Sequence, residues 1–519
     1  MRRDTVDELR CPYSGGPLTV SSVAEGNADH IDYGIVRSEC FEFPIVGGIL
    51  LLSLAKSYGG PEEKLTPHAA LLIAALHHLA DQDVDGLNAW IGRHAPLAAN
   101  LMANGYRNYE DFASDLEDIL APAVSAELVR AADLEVIGDI GLRHALAKRS
   151  RMSPRSRPVR WAHRIVDRVR AVRAQLGSTL HGEKRREERL HSYYMQRFFS
   201  VRAASTSLGV SALPTSGRIL SVCPGHGVFE NILRASDRLP TSLVCMDGQF
   251  VNLLVIRHLI GVDADFICHD VQFAWPFRDG FFDGVFSSTC LPELPPQKHV
   301  VEESVRVTAP TGWTLFDSIW ALDSGAHRID PYRYYRYSQN FFDSIDRYPD
   351  FFGRTVTDRS TYFDISGAPS RYVEGTTWLR ERENIDRALD EARDVEINAL
   401  VLDESRFSGF VADPVSARAA LIDPAQLSVS PAFEAHITAG RLELMRKASY
   451  AQPDINFASR DFGVLDARAS ITASQLSDPA ALLEFYLRGI LVPLPPRFSA
   501  RDRTVQSFAI RIRATSPAR

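Results

Sequence analysis

The hydrophobic pattern changes character several times along the chain. Between residues 8 and 53, short apolar runs alternate with turn-rich stretches, ELRCPYSGGPLTV and then YGIVRSECFEFPIVGGILLL. Apolar runs bounded by Gly, Pro and Ser predict a compact β unit, with Leu9, Leu18, Ile35, Phe43, Ile45 and Ile49 as its core. From 60 to about 147 the period is helical. HAALLIAALHHLA is rich in good helix formers, and Thr66 followed by Pro67 suits a helix start. NYEDFASDLEDIL and SAELVRAADLEVI continue that pattern. A third regime follows, in which strand-length apolar runs alternate with helical stretches. Residues 219–223, 243–246, 266–268, 282–287 and 313–318 read as strands, with Pro310 and Gly312 turning into the last. This alternation predicts a parallel, doubly wound α/β sheet. Ligands of such sheets sit beyond the carboxyl ends of the strands.

The first of these strands carries the most chemistry. In ILSVCPGHGVFE an apolar run meets a tight Gly-x-Gly at Gly225 and Gly227, and a helical pattern follows with Phe229, Ile232 and Leu233. Glycines at such a turn let the backbone approach a ligand that a side chain would block. Asp247 ends the second strand and Asp270 follows the third, so both converge on the same crevice. A dinucleotide fingerprint would need a third glycine where the chain has Glu230.

Composition narrows the classes. The 519 residues suffice for several domains. Fractions of 45% hydrophobic and 24% charged residues are those of an ordinary globular chain. A net charge of −7 gives no global pull toward nucleic acid or anionic lipid. No apolar run approaches the roughly 20 residues of a membrane helix. MRRDTVDELRCP lacks the apolar core of a signal peptide, so the cytoplasm is the expected location. Six cysteines are too few for a disulfide scaffold. Cys223, Cys245, Cys268 and Cys290 lie at or near the ends of apolar runs and read as buried thiols rather than a metal site. Residues 148–189 differ, with a net charge of about +10 counted from the sequence. There Trp161, Ile165, Val169, Val172 and Leu176 form an apolar stripe interleaved with Arg160, Arg164, Arg168 and Arg173. This is either an amphipathic connector with a solvated basic face or a dock for RNA or another anionic partner.

Two resemblances follow from these motifs. The order of SVCPGHG, Asp247, ICHDVQ, WPFRDGFFDGVFSS and EESVRVTAPTGWTLF resembles class I S-adenosylmethionine-dependent methyltransferases, over residues 217–318. The resemblance implies a Rossmann-like methyltransferase sheet and S-adenosyl-L-methionine as cofactor. It places Ser221, Cys223, Gly225, Gly227, Asp247, Asp270 and Val271 against that cofactor, with Asp247 on the ribose hydroxyls and Asp270 near the adenine amine. The chain departs from the family at Ser221, where an acid is usual, and at Cys223, where the first glycine stands. The Cβ of Cys223 is expected to crowd the loop. The N-terminal unit resembles the small zinc-ribbon proteins that activate methyltransferases. At the ligand positions it has Cys11, Ser14, Ser38 and Cys40, too few thiolates for a structural zinc. No metal is expected.

A general base helps when an acceptor must lose a proton. His226, His269, Glu293 and His299 lie near the crevice, and Glu293 and His299 are the candidate catalytic residues. Residues 331–352 are dense in Tyr, Phe and Arg, suited either to stacking on an acceptor or to packing a cap. Residues 375–395 read as a charged helix, DPAALLEFYLRG as a helix and TVQSFAIRIRAT as a terminal antiparallel strand. The expected organisation is a ribbon-like unit (1–56), an α-helical domain with basic connector (60–200), a methyltransferase-like core (205–323), an inserted cap (324–470) and a mixed C-terminal extension (471–519) that completes the core. The reading is a methyltransferase acting on a small-molecule acceptor, a sugar or natural product, with no membrane span. An RNA methyltransferase and a non-catalytic scaffold of the same fold stay open as alternatives.

Overall fold

The apolar runs of the central region form a parallel ladder because their strands are buried on both faces. A computed structural model describes residues 1–53, 67–94, 213–319 (without 292–293 and 295–296), 360–364, 379–380, 397–402, 426–446 (without 431–432 and 439) and 468–495, with isolated helical residues between 98 and 210. The core strands are β5 (Arg218–Val222), β6 (Ser242–Asp247), β7 (Asp265–Cys268), β8 (Phe282–Ser288) and β9 (Thr308–Ile319). Their order, β7-β6-β5-β8-β9, reverses direction of winding between β5 and β8. That reversal opens a crevice at the strand tips. The helices α4 (Val228–Ala235), α5 (Phe250–Val255, continued by a wider π turn at Ile256–Ile260) and α6 (Gln297–Val307) follow β5, β6 and β8.

Strand alternation sorts side chains to two cores. Ile219, Leu243 and Cys245 face one core with Phe229, Ile232, Leu253 and Leu254. Leu220, Val222, Val244 and Met246 face the other, with Val300, Val301 and Phe282. The expected α/β sheet is therefore present, and its strands lie within a few residues of their expected limits. One local expectation fails. Pro310 and Gly312 do not form a turn but lie within β9, which starts at Thr308 and carries an irregular register opposite Phe282 and Gly284.

The sheet is larger than the core. The N-terminal unit comprises α1 (Arg3–Glu8), β1 (Thr19–Gly26), β2 (Ile31–Arg37), β3 (Glu42–Val46) and β4 (Ile49–Leu51). β4 pairs in parallel with β7, with Ile49, Leu50 and Leu51 opposite Phe266, Ile267 and Cys268. The ribbon thus continues the core sheet and covers an edge that would otherwise present unpaired backbone groups. Asp265 locks the join. Its buried carboxylate accepts from the Arg2 backbone N–H and guanidinium Nε, both at 2.8 Å, and from the Thr5 hydroxyl at 2.6 Å. Cys11, Ser14, Ser38 and Cys40 lie close together. The Cys11 thiol hydrogen-bonds Ser14 and Ser38, and the Ser38 hydroxyl accepts from the Cys40 and Phe41 amides, while Cys40 itself is exposed.

At the opposite edge, β10 (Ser360–Asp364), β11 (Leu379–Arg380) and β12 (Ile397–Leu402) extend the sheet, with β12 antiparallel to β9. The strand beside β9 therefore comes from within the stretch expected to be a cap; residues 504–515, expected to be a terminal strand, lie outside the described residues. Leu379–Arg380 is a strand where a charged helix was expected. Helices α2 (Pro67–Ala80) and α3 (Val84–His94) occupy the start of the stretch expected to be helical, most of whose remainder to 147 lies outside the described residues. They pack on the first core beside α7 (Ala473–Leu476), α8 (Pro479–Leu487) and the small sheets of β13 (Leu427–Val429) with β17 (Leu491–Pro493), and of β14 (Phe433–Thr438), β15 (Arg441–Arg446) and β16 (Arg468–Thr472). The Asn231 amide donates to the Pro493 carbonyl at 2.5 Å, tying α4 to these C-terminal elements. The basic stretch 148–189 and the aromatic stretch 331–352 lie outside the described residues.

Removing Asp265 leaves the Arg2 and Thr5 donors at a buried join without their acceptor. We expect Asp265→Ala to destabilise the protein by about 3 kcal/mol in urea unfolding, with Asp265→Asn intermediate. A loss below about 0.5 kcal/mol, the range of ordinary surface changes, would contradict a structural join at this position.

Candidate active site

The loop after β5 turns because three successive features force it. Cys223 adopts a left-handed conformation with φ 51°, Gly225 has φ 54° and Gly227 has φ 81°. A Cβ at Gly227 would lie 2.9 Å from Ile256 Cγ1 and 3.0 Å from Ile260 Cγ1, so glycine lets the loop sit against the π turn. A Cβ at Gly225 would meet nothing within 4 Å: the loop there faces open space. Cys223 stands where the first glycine of the loop was expected. It takes the glycine-like conformation itself, and its amide donates to the Met246 carbonyl at 2.8 Å.

Asp247 stands at the tip of the neighbouring strand and organises this cradle. One carboxylate oxygen accepts from the Gln249 amide at 2.7 Å, the other from the Gly225 amide at 3.2 Å. The Asn252 amide group bridges both at 3.3 Å. Burial raises the Asp247 pKa, and the three donors work against that rise. The long Asn252 contacts are those that a pair of ligand hydroxyls would replace most easily. Asp270, beyond β7, accepts from the Gln272 amide at 3.1 Å. Val271 is buried, and its carbonyl accepts from the Trp275 indole at 3.0 Å.

Ser221, where the family has an acid, is fully buried, and a carboxyl still lies beside it. Glu230, from the first turn of α4, is 0% exposed and lies beside Ser221, whose buried hydroxyl makes no hydrogen bond. The Cys245 thiol, opposite Ser221 in the β5–β6 register, donates to Glu230 Oε1 at 3.7 Å. Burial pushes the Glu230 pKa up to about 7, against the polar groups of Ser221 and Cys245 beside it. Sequence reasoning read Glu230 only as a missing third glycine. The signal available was the absent acid at 221.

The tips of β8 and β9 form the other wall. Asp317, 1% exposed, accepts from the Thr206 hydroxyl at 2.5 Å and the Ser288 hydroxyl at 2.8 Å. The Thr289 amide donates to the Asp317 carbonyl at 2.9 Å, with Thr289 left-handed at φ 61°. The buried Ser287 hydroxyl has no hydrogen-bond partner. None of Thr206, Ser287, Ser288 or Asp317 was singled out from sequence, because short polar residues after a strand read as a loop.

Of the candidate bases, Glu293 lies outside the described residues. His299 Nε2 lies 3.0 Å from the Phe273 carbonyl, which ties α6 to the loop after β7. His269 is buried with Nε2 3.1 Å from the Ala274 carbonyl, and His226 is buried in the glycine loop. The Glu-x-x-Arg of the family-like segment is a clamp on the loop that begins at Trp275. Glu303 accepts from the Trp275 amide at 2.6 Å and from Arg306, which also donates to the Phe277 carbonyl at 2.8 Å. Burial favours the neutral acid, yet Arg306 and the Trp275 amide hold the Glu303 carboxyl below its ordinary pKa.

Comparison with known proteins agrees with this geometry. Residues 220–316 match the family model described as a methyltransferase domain. No curated protein matches the chain. Among solved structures, a putative methyltransferase from Bacillus halodurans C-125 is 16% identical, covering 38% of this chain and 96% of its own at a TM-score of 0.26. The YcgJ protein of Bacillus subtilis is 18% identical over 39% and 98%, at 0.27. A complex of the Haloferax volcanii Trm112 methyltransferase activator with a putative methyltransferase gives 15% identity over 40% and 90%, at 0.28. The sheet order agrees with the family match over 220–316, and this part of the chain has the Rossmann-like fold of a methyltransferase domain. Among the described residues, no helix is long and apolar enough to cross a membrane.

The Glu230 carboxyl makes a pH prediction. Its pKa rises on folding to about 7, so its contribution is neutral below the ordinary carboxyl range. Stability is then lost as pH rises toward 7 and above, by about 3 kcal/mol for a shift of this size. Glu230→Gln is expected to be more stable than wild type at pH 8 by about 1–3 kcal/mol and nearly equal at pH 4.5. Equal stabilities at both pH values, measured by urea unfolding, would contradict a neutral buried acid here.

Proposed function

We propose that this chain transfers a methyl group from S-adenosylmethionine to a small polar acceptor, a sugar or natural product bearing a hydroxyl or amine. The observation that carries the acceptor class is the hydroxyl and carboxylate cluster of Thr206, Ser288 and Asp317 at the tips of β8 and β9. The cradle fits the cofactor: open space beside Gly225 and a tip carboxylate, Asp247, whose weaker contacts are exchangeable. In this reading Asp247 holds the ribose hydroxyls, Asp270 and Val271 border the adenine, and Ser221, Cys223, Gly225 and Gly227 line the methionine end. Glu230 supplies the carboxyl that Ser221 lacks.

The bound cofactor supplies an already activated methyl group on a sulfonium. The chain's task is to orient the acceptor, exclude water and take up a proton. Ser288 donates to Asp317 and lies 3.2 Å from the Thr289 hydroxyl, which leaves one lone pair of its oxygen for an incoming hydroxyl or amine. Asp317 joins Glu293 and His299 as a candidate proton acceptor. The N-terminal unit acts in cis as a built-in activator-like module: β4 and Asp265 hold β7, and β7 carries the Asp270 loop.

Transfer of tritiated methyl from S-adenosylmethionine into a cell extract tests the acceptor class. Label is expected in the low-molecular-weight fraction, reduced about 100-fold by Asp317→Asn. Label confined to nuclease-sensitive RNA would overturn the small-molecule acceptor.

A further inference from the structure

Two thiols meet at the point where the winding of the sheet reverses. In the register of β5 with β8, Val222 stands opposite Ser287. Cys223 follows directly on Val222, and Cys290 follows Ser287 by one turn of chain. The two side chains hydrogen-bond each other, and both are partly exposed. Their backbone surroundings are strained. Among the described residues only Gln82, Cys223, Asp237 and Thr289 are non-glycine residues with positive φ; Cys223 is one half of the pair, and Thr289 immediately precedes the other half. Non-glycine residues are disfavoured in that region. At Cys223 a glycine would relieve the strain, and the turn it makes is a glycine turn. The thiol is what a glycine there would remove.

We propose that Cys223 and Cys290 form a reversible dithiol–disulfide pair that shuts the cofactor crevice when oxidised. The oxidant is a hydroperoxide. The Cys290 thiolate attacks the outer peroxide oxygen, the O–O bond breaks, and the alcohol leaves with one proton. Cys290 is then a sulfenic acid. The Cys223 sulfur attacks it, the S–S bond forms, and water leaves with the Cys223 proton. Two thiols and one hydroperoxide thus give one disulfide, one alcohol and one water. A dithiol reductant reverses the step by exchange. With Cys223 as the attacking thiol the oxidation has the same balance, and the disulfide is the same.

The consequence for binding follows from position. Cys223 is continuous with the open face at Gly225 and with the amide that Asp247 accepts. A bond from Cys223 to the β8 side draws the glycine loop across the mouth of the crevice. The effect on cofactor affinity rests on the methyltransferase reading. Formation of the bond does not.

The test uses the full-length protein, treated with hydrogen peroxide and then with dithiothreitol. Peptide mass spectrometry is expected to show a Cys223–Cys290 linkage that dithiothreitol removes. Calorimetric affinity for S-adenosylhomocysteine is expected to fall at least tenfold on oxidation and to return on reduction. Cys290→Ser and, separately, Cys223→Ser are expected to form no such linkage, and Cys290→Ser to keep its affinity through peroxide treatment. Absence of the linkage in folded wild type would overturn the proposal. So would a linkage that leaves affinity unchanged, or a loss of affinity that Cys290→Ser shares. If reduced wild type binds no cofactor at all, the methyltransferase reading fails, and the mass spectrum alone then decides the thiol pair.

Discussion

Parallel hydrogen bonding of β5 to β6 on one side and β8 on the other is the constraint on which the site depends. It fixes Val222 opposite Met246 and Ser287. The chain segments leaving those positions must therefore start from one edge of the sheet. Asp247 reaches the glycine loop only because its strand ends one residue beyond Met246. Ser288 reaches Asp317 only because β8 and β9 keep the same register at their tips. A one-residue slip would turn each of these groups to the opposite face. The two apolar cores, one on each face, are what hold the register.

The same ladder absorbs the N-terminal unit. β7 would be an edge of the core sheet, and β4 takes that place. Asp265 then joins the two units through an ion pair and two further hydrogen bonds of short length. Arg257 on the π turn pairs with Asp32 of β2, and the Tyr13 ring lies near Phe273 in the loop after β7. The loop bearing Asp270 is thus braced from the N-terminal side, and the loop at Trp275 from α6 through Glu303 and Arg306. The crevice is held by contacts that lie behind it.

Much of the core was legible in the sequence, for a physical reason. Strands buried on both faces need unbroken apolar runs, and 219–223 or 266–268 can be little else. The glycine loop was legible because Gly225 and Gly227 have no other use between a strand and a helix. What escaped was long-range. Nothing in ILL at 49–51 announces a partner at 266–268, because backbone pairing leaves no side-chain signature. INALVL at 397–402 gave no motif, yet it is the neighbour of β9. Glu230 at a helical position reads as a solvated acid until packing removes its water. The left-handed conformation of Cys223 was not legible either, because a cysteine after an apolar run carries no signal of positive φ.

The central claim is that the crevice between Gly225, Asp247 and Asp270 holds S-adenosylmethionine. Calorimetric titration of the reduced, folded protein with S-adenosylmethionine and S-adenosylhomocysteine tests it most directly. The account expects one site of micromolar affinity for each, lost in Asp247→Ala while the unfolding transition stays cooperative. No heat of binding from folded wild type, or wild-type affinity in Asp247→Ala, would contradict it.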